Sequence, residues 1–234
     1  MSLVEWIHIF GWLYSVWVIH VYSQYGGRVI HKGYQGSWQF LTFLNLCIQL
    51  VVSSLSILQI ISSHTNMMSM QKHCKVLKET VQSSIGFPVC LIVSSFFWII
   101  YAIDRELVYP KSLDDIIPYW TNHIFHTVIL VKCLEFMLED VKYPSRKYGL
   151  TLGLLFLASY FIWISYLYFK TGFWPYGFMH TFSVYMFALF ILATAFYYTF
   201  LFCLGEFLNN FLHDTYEQCS EKNPKNHQKC NKVN

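Results

Sequence analysis

The chain reads as an all-α, polytopic membrane protein, a bundle of six transmembrane helices with both termini in the cytosol. Two observations carry that reading. Hydrophobic residues make up 55% of the 234 positions and charged residues only 12%, against about a quarter charged in ordinary soluble domains. The apolar residues also fall into six separate runs of about twenty, the length that crosses a hydrocarbon core of ~30 Å.

The runs come in order. Leu3–Tyr22 is the first. It lacks the basic start and small-residue cleavage site of a signal peptide, so a retained span is expected. A Gly-rich connection, Ser23–Gln39, carries Arg28 and Lys32 and leads to the second span, Phe40–Ile61. Ser62–Gln82 is polar, with Lys72, Lys75 and Lys78; the third span, Ile85–Ile103, contains Pro88 near its start, as a kink or a first turn. The charged connection Asp104–Ile117 precedes the fourth span, Pro118–Leu138. Lys142–Tyr148 is a basic loop, Leu150–Phe169 the fifth span, and Lys170–His180 an aromatic turn suited to a membrane interface. Phe182–Phe207 is the sixth span. Residues 1–212 form the expected transmembrane domain, and 213–234 a polar, disordered cytosolic tail with four lysines.

Ten Lys and Arg residues lie in the second and fourth connections and the tail. Five (Arg28, Lys32, Arg105, Lys111, Lys170) lie in the odd connections. The positive-inside bias therefore points the termini to the cytosol. The net charge of +3 suits an anionic leaflet, and no basic cluster interleaved with stacking aromatics indicates nucleic acid. Four of the seven cysteines (Cys47, Cys90, Cys133, Cys203) fall inside apolar runs, so they read as small buried hydrophobes rather than a disulfide framework.

The fourth span opens with PYWTNHIFHT, Pro118–Thr127, which places Asn122, His123, His126 and Thr127 within six positions. Polar groups at membrane depth are expensive and mark function or paired contacts. On the second span Thr42, Asn45 and Gln49 share one helical face. With six spans, Thr42 and His126 approach from the same side of the membrane at depths differing by roughly 8 Å. A hydroxyl beside an imidazole suits nucleophilic acyl transfer, and Asn side chains suit an oxyanion. Spacing alone leaves plainer readings open. Thr42 could bond back to the Trp38 carbonyl, and a membrane histidine could serve an interhelical hydrogen bond.

A metal site needs three or four ligands, and His20, His31 and His180 form no recognisable set with His123 and His126. No metal and no cofactor is expected. Lys132 and Glu135 read as a mutual pair, and Glu206 as a structural charge near an interface. Arg105 could hold a substrate carboxylate or a local ion pair.

Several blocks then match together: GSWQFLTFLN (Gly36–Asn45), FWIIYAIDRELVYPK (Phe97–Lys111), LDDIIPYWTNHIFHT (Leu113–Thr127), YPSRKYGLT (Tyr143–Thr151), TGFWPY (Thr171–Tyr176) and LGEFLNN (Leu204–Asn210). They resemble the androgen-induced and androgen-dependent TFPI-regulating family of multi-pass membrane proteins. The resemblance implies a six-span hydrolase of fatty acid esters of hydroxy fatty acids, with a threonine nucleophile and a histidine base. The family's threonine ends the motif W-K-F/Y-L/M-T, which here is WQFLT and ends at Thr42. Its histidine is the second of N-H-x-x-H-T, here His126. Gln39, Thr121 and Phe125 depart from the commoner residues, the last two in a way that bears on pocket shape and chain-length preference.

The expected catalytic residues are thus Thr42 and His126, with Asn45, Asn122, His123 and Arg105 as substrate-binding or supporting candidates. The expected partners are an amphiphilic lipid ester and the bilayer of the endoplasmic reticulum or plasma membrane. The alternative is a non-enzymatic scaffold or lipid-binding regulator of other proteins, acting through its polar face and basic tail.

Overall fold

The computed structural model describes residues 2–30 and 36–222, with side chains for 2–25 and 36–213. Among these residues there are eight α-helices and no strand. Five stretches are long and apolar enough to cross a membrane: Leu3–Tyr25, Leu41–His64, Met68–Ile103, Arg146–Thr171 and Val184–His213. The fold is therefore all-helical and polytopic, as expected, but four of its segments differ for physical reasons.

The first helix, α1 (Leu3–Ile30), runs on through part of the Gly-rich connection. Lys32 and the side chain of Arg28 lie outside the described residues. α2 (Leu41–His64) then leads, through a turn with Asn66 at φ 56, into α3 (Met68–Val81). The polar segment expected to be a connection is thus mostly helix. It contains no Gly or Pro between 68 and 81, and it buries Cys74, Lys78 and Glu79 against neighbouring helices.

α3 continues through a π-turn, Gln82–Gly86, into α4 (Phe87–Ile103), with Pro88 in the first turn of α4. Proline has no N–H to give to the carbonyl four residues back, here that of Ser84. The π-turn absorbs the misfit. The Tyr198 hydroxyl from the last helix donates to the Ser84 carbonyl in place of the missing amide. Gln49 Nε2 reaches in from α2 to the Gly86 carbonyl at 3.1 Å. Gly153 makes room for this junction, since a Cβ there would lie 1.5 Å from Tyr198 Oη and 2.5 Å from the Ser84 oxygen.

The expected fourth span is a broken run rather than one helix. α5 (Trp120–His126) passes through a 3-10 turn, Val128–Leu130, to α6 (Val131–Met137). The break is accompanied by a contact from another helix. Ser94 Oγ on α4 donates to the His126 carbonyl at 2.5 Å. Leu130 N–H bonds the Thr127 carbonyl at 3.0 Å, the tighter i−3 pattern.

α7 (Arg146–Thr171) ends at Gly172, whose φ of 75° is the left-handed geometry that stops a helix. α8 (Val184–Lys222) has 39 residues, about 58 Å at 1.5 Å each, nearly twice a hydrocarbon core. It does not stop at His213, so the first part of the expected disordered tail is helical as far as Lys222; residues 223–234 lie outside the description.

Two apolar cores hold the bundle. One joins α1, α2, α5 and α6 through Val18, Tyr22, Leu46, Phe125, Ile129 and Phe136. The other joins α4, α7 and α8 through Ile92, Leu157, Phe161, Ile164, Tyr198 and Leu201. Large side chains such as Ile162, Phe169, Leu189 and Phe196 point outward and stay exposed. Such outward apolar surface suits hydrocarbon rather than water.

Gly153→Ala should force Tyr198 off the Ser84 carbonyl. Overpacking of this kind costs about 1–3 kcal/mol, so the variant is expected to melt at a lower temperature in detergent than the parent. An unchanged melt would show that the α7–α8 contact yields without loss.

Candidate functional site

Between α2, α4, α5, α7 and α8 lies a partly open cavity of about 210 Å³. Most of its wall is apolar, including Ile92, Phe96, Phe97, Leu157, Phe161 and Phe190. A few polar groups converge on it: Thr42, Thr121, Asn122, His126, Tyr160 and Tyr176. An apolar pocket with few placed polar groups is the usual form of a small-ligand site.

Thr42 sits in the first turn of α2, just after Phe40, whose extended backbone (φ −97°, ψ 127°) sets the start of the helix. It is half-buried, and its hydroxyl has no hydrogen-bond partner among the described residues. The back-bond to Trp38 is not made. The Trp38 carbonyl accepts instead from Trp163 Nε1 on α7, at 3.1 Å.

His126 closes α5. It is 7% exposed, and its ring lies flat on Phe97, with centroids 3.7 Å apart and planes 1° from parallel. Its Nδ1 is buried without a partner, a costly state for a polar atom. Asn122, one turn earlier, is buried and lines the same cavity. The cavity therefore brings together Thr42, His126 and Asn122.

The other three expected residues do not line it. Asn45 is fully buried deeper in α2, where its Oδ1 accepts from Gln49 Nε2 at 3.4 Å. His123 is exposed on the opposite side of α5, against the Trp98 ring at 4.9 Å and near Thr127 Oγ1 at 3.4 Å. The i, i+3 offset from His126, the last residue of α5, was not enough to share a face.

Arg105 is engaged elsewhere. Its guanidinium meets Asp114 at 2.5 Å and the Tyr109 carbonyl at 3.2 Å, and the Asp114 hydrogen bond raises its pKa further. These contacts tie down the segment between α4 and α5. Val108, Tyr109, Leu113 and Ile117 of that segment close one side of the cavity, and Tyr109 Oη donates to the Ile117 carbonyl at 2.7 Å. Arg105 thus holds the wall rather than a ligand.

Two site residues gave no clear signal in the sequence. Tyr160 lies mid-helix in α7 among other aromatics. Tyr176 falls in TGFWPY, a block that read as an interfacial turn. Their hydroxyls are 3.2 Å apart beside the start of α2.

A second polar centre lies apart from this cavity. Lys132 is 3% exposed and pairs with Glu135, as their spacing suggested. The pair belongs to a larger cluster. His8 Nδ1 on α1 meets Glu135 at 3.1 Å, His8 Nε2 meets Glu139 at 3.6 Å, and Lys78 on α3 meets Glu139 at 2.5 Å. Among the described residues no group of three or more His, Cys, Asp or Glu is placed to hold a metal.

The fold and site define a polytopic helical membrane protein with an internal, mostly apolar cavity. The chain belongs to the FAR-17a/AIG1-like protein family, whose profile matches residues 6–210. It is 38% identical to Androgen-induced gene 1 protein of Homo sapiens over 203 residues, 83% of this chain and 85% of that protein. Identity to Androgen-dependent TFPI-regulating protein of Homo sapiens is 33% over 175 residues, 74% and 76% of the two chains. The Mus musculus protein of the same name is 32% identical over 185 residues, 79% of this chain and 80% of that one. No solved structure matches.

Removing one member of a buried ion pair leaves an uncompensated charge and costs about 3–5 kcal/mol. Lys132→Met is expected to lower stability by that order in a detergent melt. The double change Lys132→Met with Glu135→Leu should recover most of the loss. Equal losses for both would mean that the cluster acts by packing rather than charge.

Proposed function

We propose that this protein is an intramembrane esterase that hydrolyses fatty acid esters of hydroxy fatty acids, with Thr42 as nucleophile and His126 as general base. One observation carries the reading: an unbonded threonine hydroxyl and a histidine with an unpartnered buried nitrogen line the same apolar cavity. The family resemblance selects the same two residues, and an apolar wall suits acyl chains.

The chemistry balances within these groups. Thr42 Oγ1 bonds to the ester carbonyl carbon as its proton passes to the imidazole of His126. The carbon–oxygen bond to the hydroxy fatty acid breaks, and the imidazolium returns the proton to the departing oxygen. Water then attacks the acyl-threonine, giving up a proton to His126. The fatty acid leaves, and the proton goes back to Thr42. Asn122 is the side-chain amide available to orient the ester from the same wall. In this reading the broken α5–α6 run counts as a crossing, which puts both termini in the cytosol.

General-base help is typically worth about 10²–10⁴-fold in rate. Thr42→Ala and His126→Ala are each expected to lower release of fatty acid by at least that order, measured by mass spectrometry on purified protein in lipid nanodiscs. Unchanged melting temperatures would certify the fold. Near-parental turnover by either variant would overturn this mechanism, and a scaffold or regulatory role, as in the name of the TFPI-regulating relatives, would take its place.

A further inference from the structure

The start of α2 is held by an unusual set of bonds. In an ordinary helix start the first amides have no acceptor. Here Leu41 N–H, one residue before Thr42, donates to the Tyr176 hydroxyl at 3.0 Å. Tyr160 Oη donates to the Gln39 carbonyl at 3.1 Å and lies 3.2 Å from Tyr176 Oη. One phenol thus takes the last amide before Thr42, and the other takes a carbonyl three residues before it. Both rings line the cavity, and Phe40 packs edge-on against Tyr176 at 5.8 Å.

Tyr160 Oη has one proton, with both the Gln39 carbonyl and the Tyr176 oxygen within its reach. The Tyr176 oxygen accepts from Leu41 N–H as well, so it serves the pair as an acceptor.

The bonds have a consequence for Thr42 itself. Its amide would ordinarily bond the Trp38 carbonyl and that of Phe43 the Gln39 carbonyl. Neither bond is made, whereas the next amide, Leu44 N–H, does reach Phe40 at 3.2 Å. The two bypassed carbonyls accept from Trp163 and Tyr160. So Thr42 keeps an unbonded hydroxyl and an unbonded amide at the positive end of a 24-residue helix. A helix start alone would signify little. Here the cavity it borders also holds His126, more than nine-tenths buried with an unpartnered ring nitrogen.

We propose that Tyr160 and Tyr176 are positioning residues: a paired-phenol clamp that fixes the first turn of α2, so that Thr42 presents its hydroxyl for attack and its own amide to the oxyanion that attack creates. The clamp rests on the esterase reading above. Backbone donors aimed where charge develops are among the strongest aids to acyl transfer, and they serve only if the backbone carrying them does not move. The two phenols come from α7 and from the turn between α7 and α8, so the nucleophile's backbone is set by a distant part of the chain.

The test uses the full-length protein in nanodiscs with a fatty acid ester of a hydroxy fatty acid. Tyr160→Phe, Tyr176→Phe and the double variant are compared with Thr42→Ala. Each single change is expected to lower kcat about 10- to 100-fold while KM moves less than about twofold, the pattern of a lost transition-state interaction. The double variant should lose no more than the worse single, because a clamp broken once is broken. Multiplying losses, or a parallel fall of kcat and active fraction with KM unchanged in a denaturing population, would make the tyrosines merely structural and overturn the clamp. Should Tyr176→Phe fail to fold, Tyr160→Phe carries the same kcat and KM test alone. An inactive Thr42→Ala beside tyrosine variants of parental kcat would sink the clamp and keep the esterase. A fully active Thr42→Ala would sink both.

Discussion

A backbone carbonyl that has lost its helical partner has no water to turn to inside a bilayer, and leaving it bare costs several kcal/mol. Much of this bundle can be understood from how such carbonyls are supplied. Pro88 removes the amide that Ser84 would have used, and Tyr198 crosses from α8 to replace it. Ser94 takes the His126 carbonyl, and the chain tightens into a 3-10 turn beyond it. Trp163 and Tyr160 take the carbonyls of Trp38 and Gln39 before α2 begins. Each substitution is a side chain from a different helix, so each is also a tertiary tether.

The tethers converge on the cavity. Three of those carbonyls flank Thr42 and His126, the residues that the site is built around. Where an unbroken helix would have hidden these backbone groups, the breaks hold side chains at defined places along the wall. Strain and tolerance are separated as well. Gly153 leaves just enough space for the Tyr198 bond, while the segment after α4 is pinned over the cavity by Arg105, Asp114 and Tyr109. The breaks in α5 and the π-turn before α4 are therefore part of how the site is formed.

Charge is kept away from this apolar space. Lys132, Glu135, His8, Glu139 and Lys78 gather at a second centre shared by α1, α3 and the α6 region. Opposite signs at close range lower the penalty of placing each in a poor dielectric. Among the described residues no Asp, Glu, Lys or Arg lines the main cavity, whose polar groups are hydroxyls, an amide and an imidazole. Such a wall accepts an acyl chain without a buried charge beside it.

The all-helical class, most of the apolar segments and the Lys132–Glu135 pair were legible in the sequence, because hydrophobic run length and helical spacing are local properties. So was the choice of Thr42 and His126 as residues to watch, through two short motifs. Spacing misled where local geometry departs from a straight helix. His123 turned away from His126, and α3 and α8 ran on where polar composition suggested a connection and a tail. Tyr160 and Tyr176, 16 residues apart, carried no mark in the chain that they would meet at the start of α2. Their role, like the sharing of one cavity by Thr42 and His126, was decided only by tertiary structure. The physical reason is that the donors for displaced backbone carbonyls come from other helices, and no local pattern records which helix supplies them.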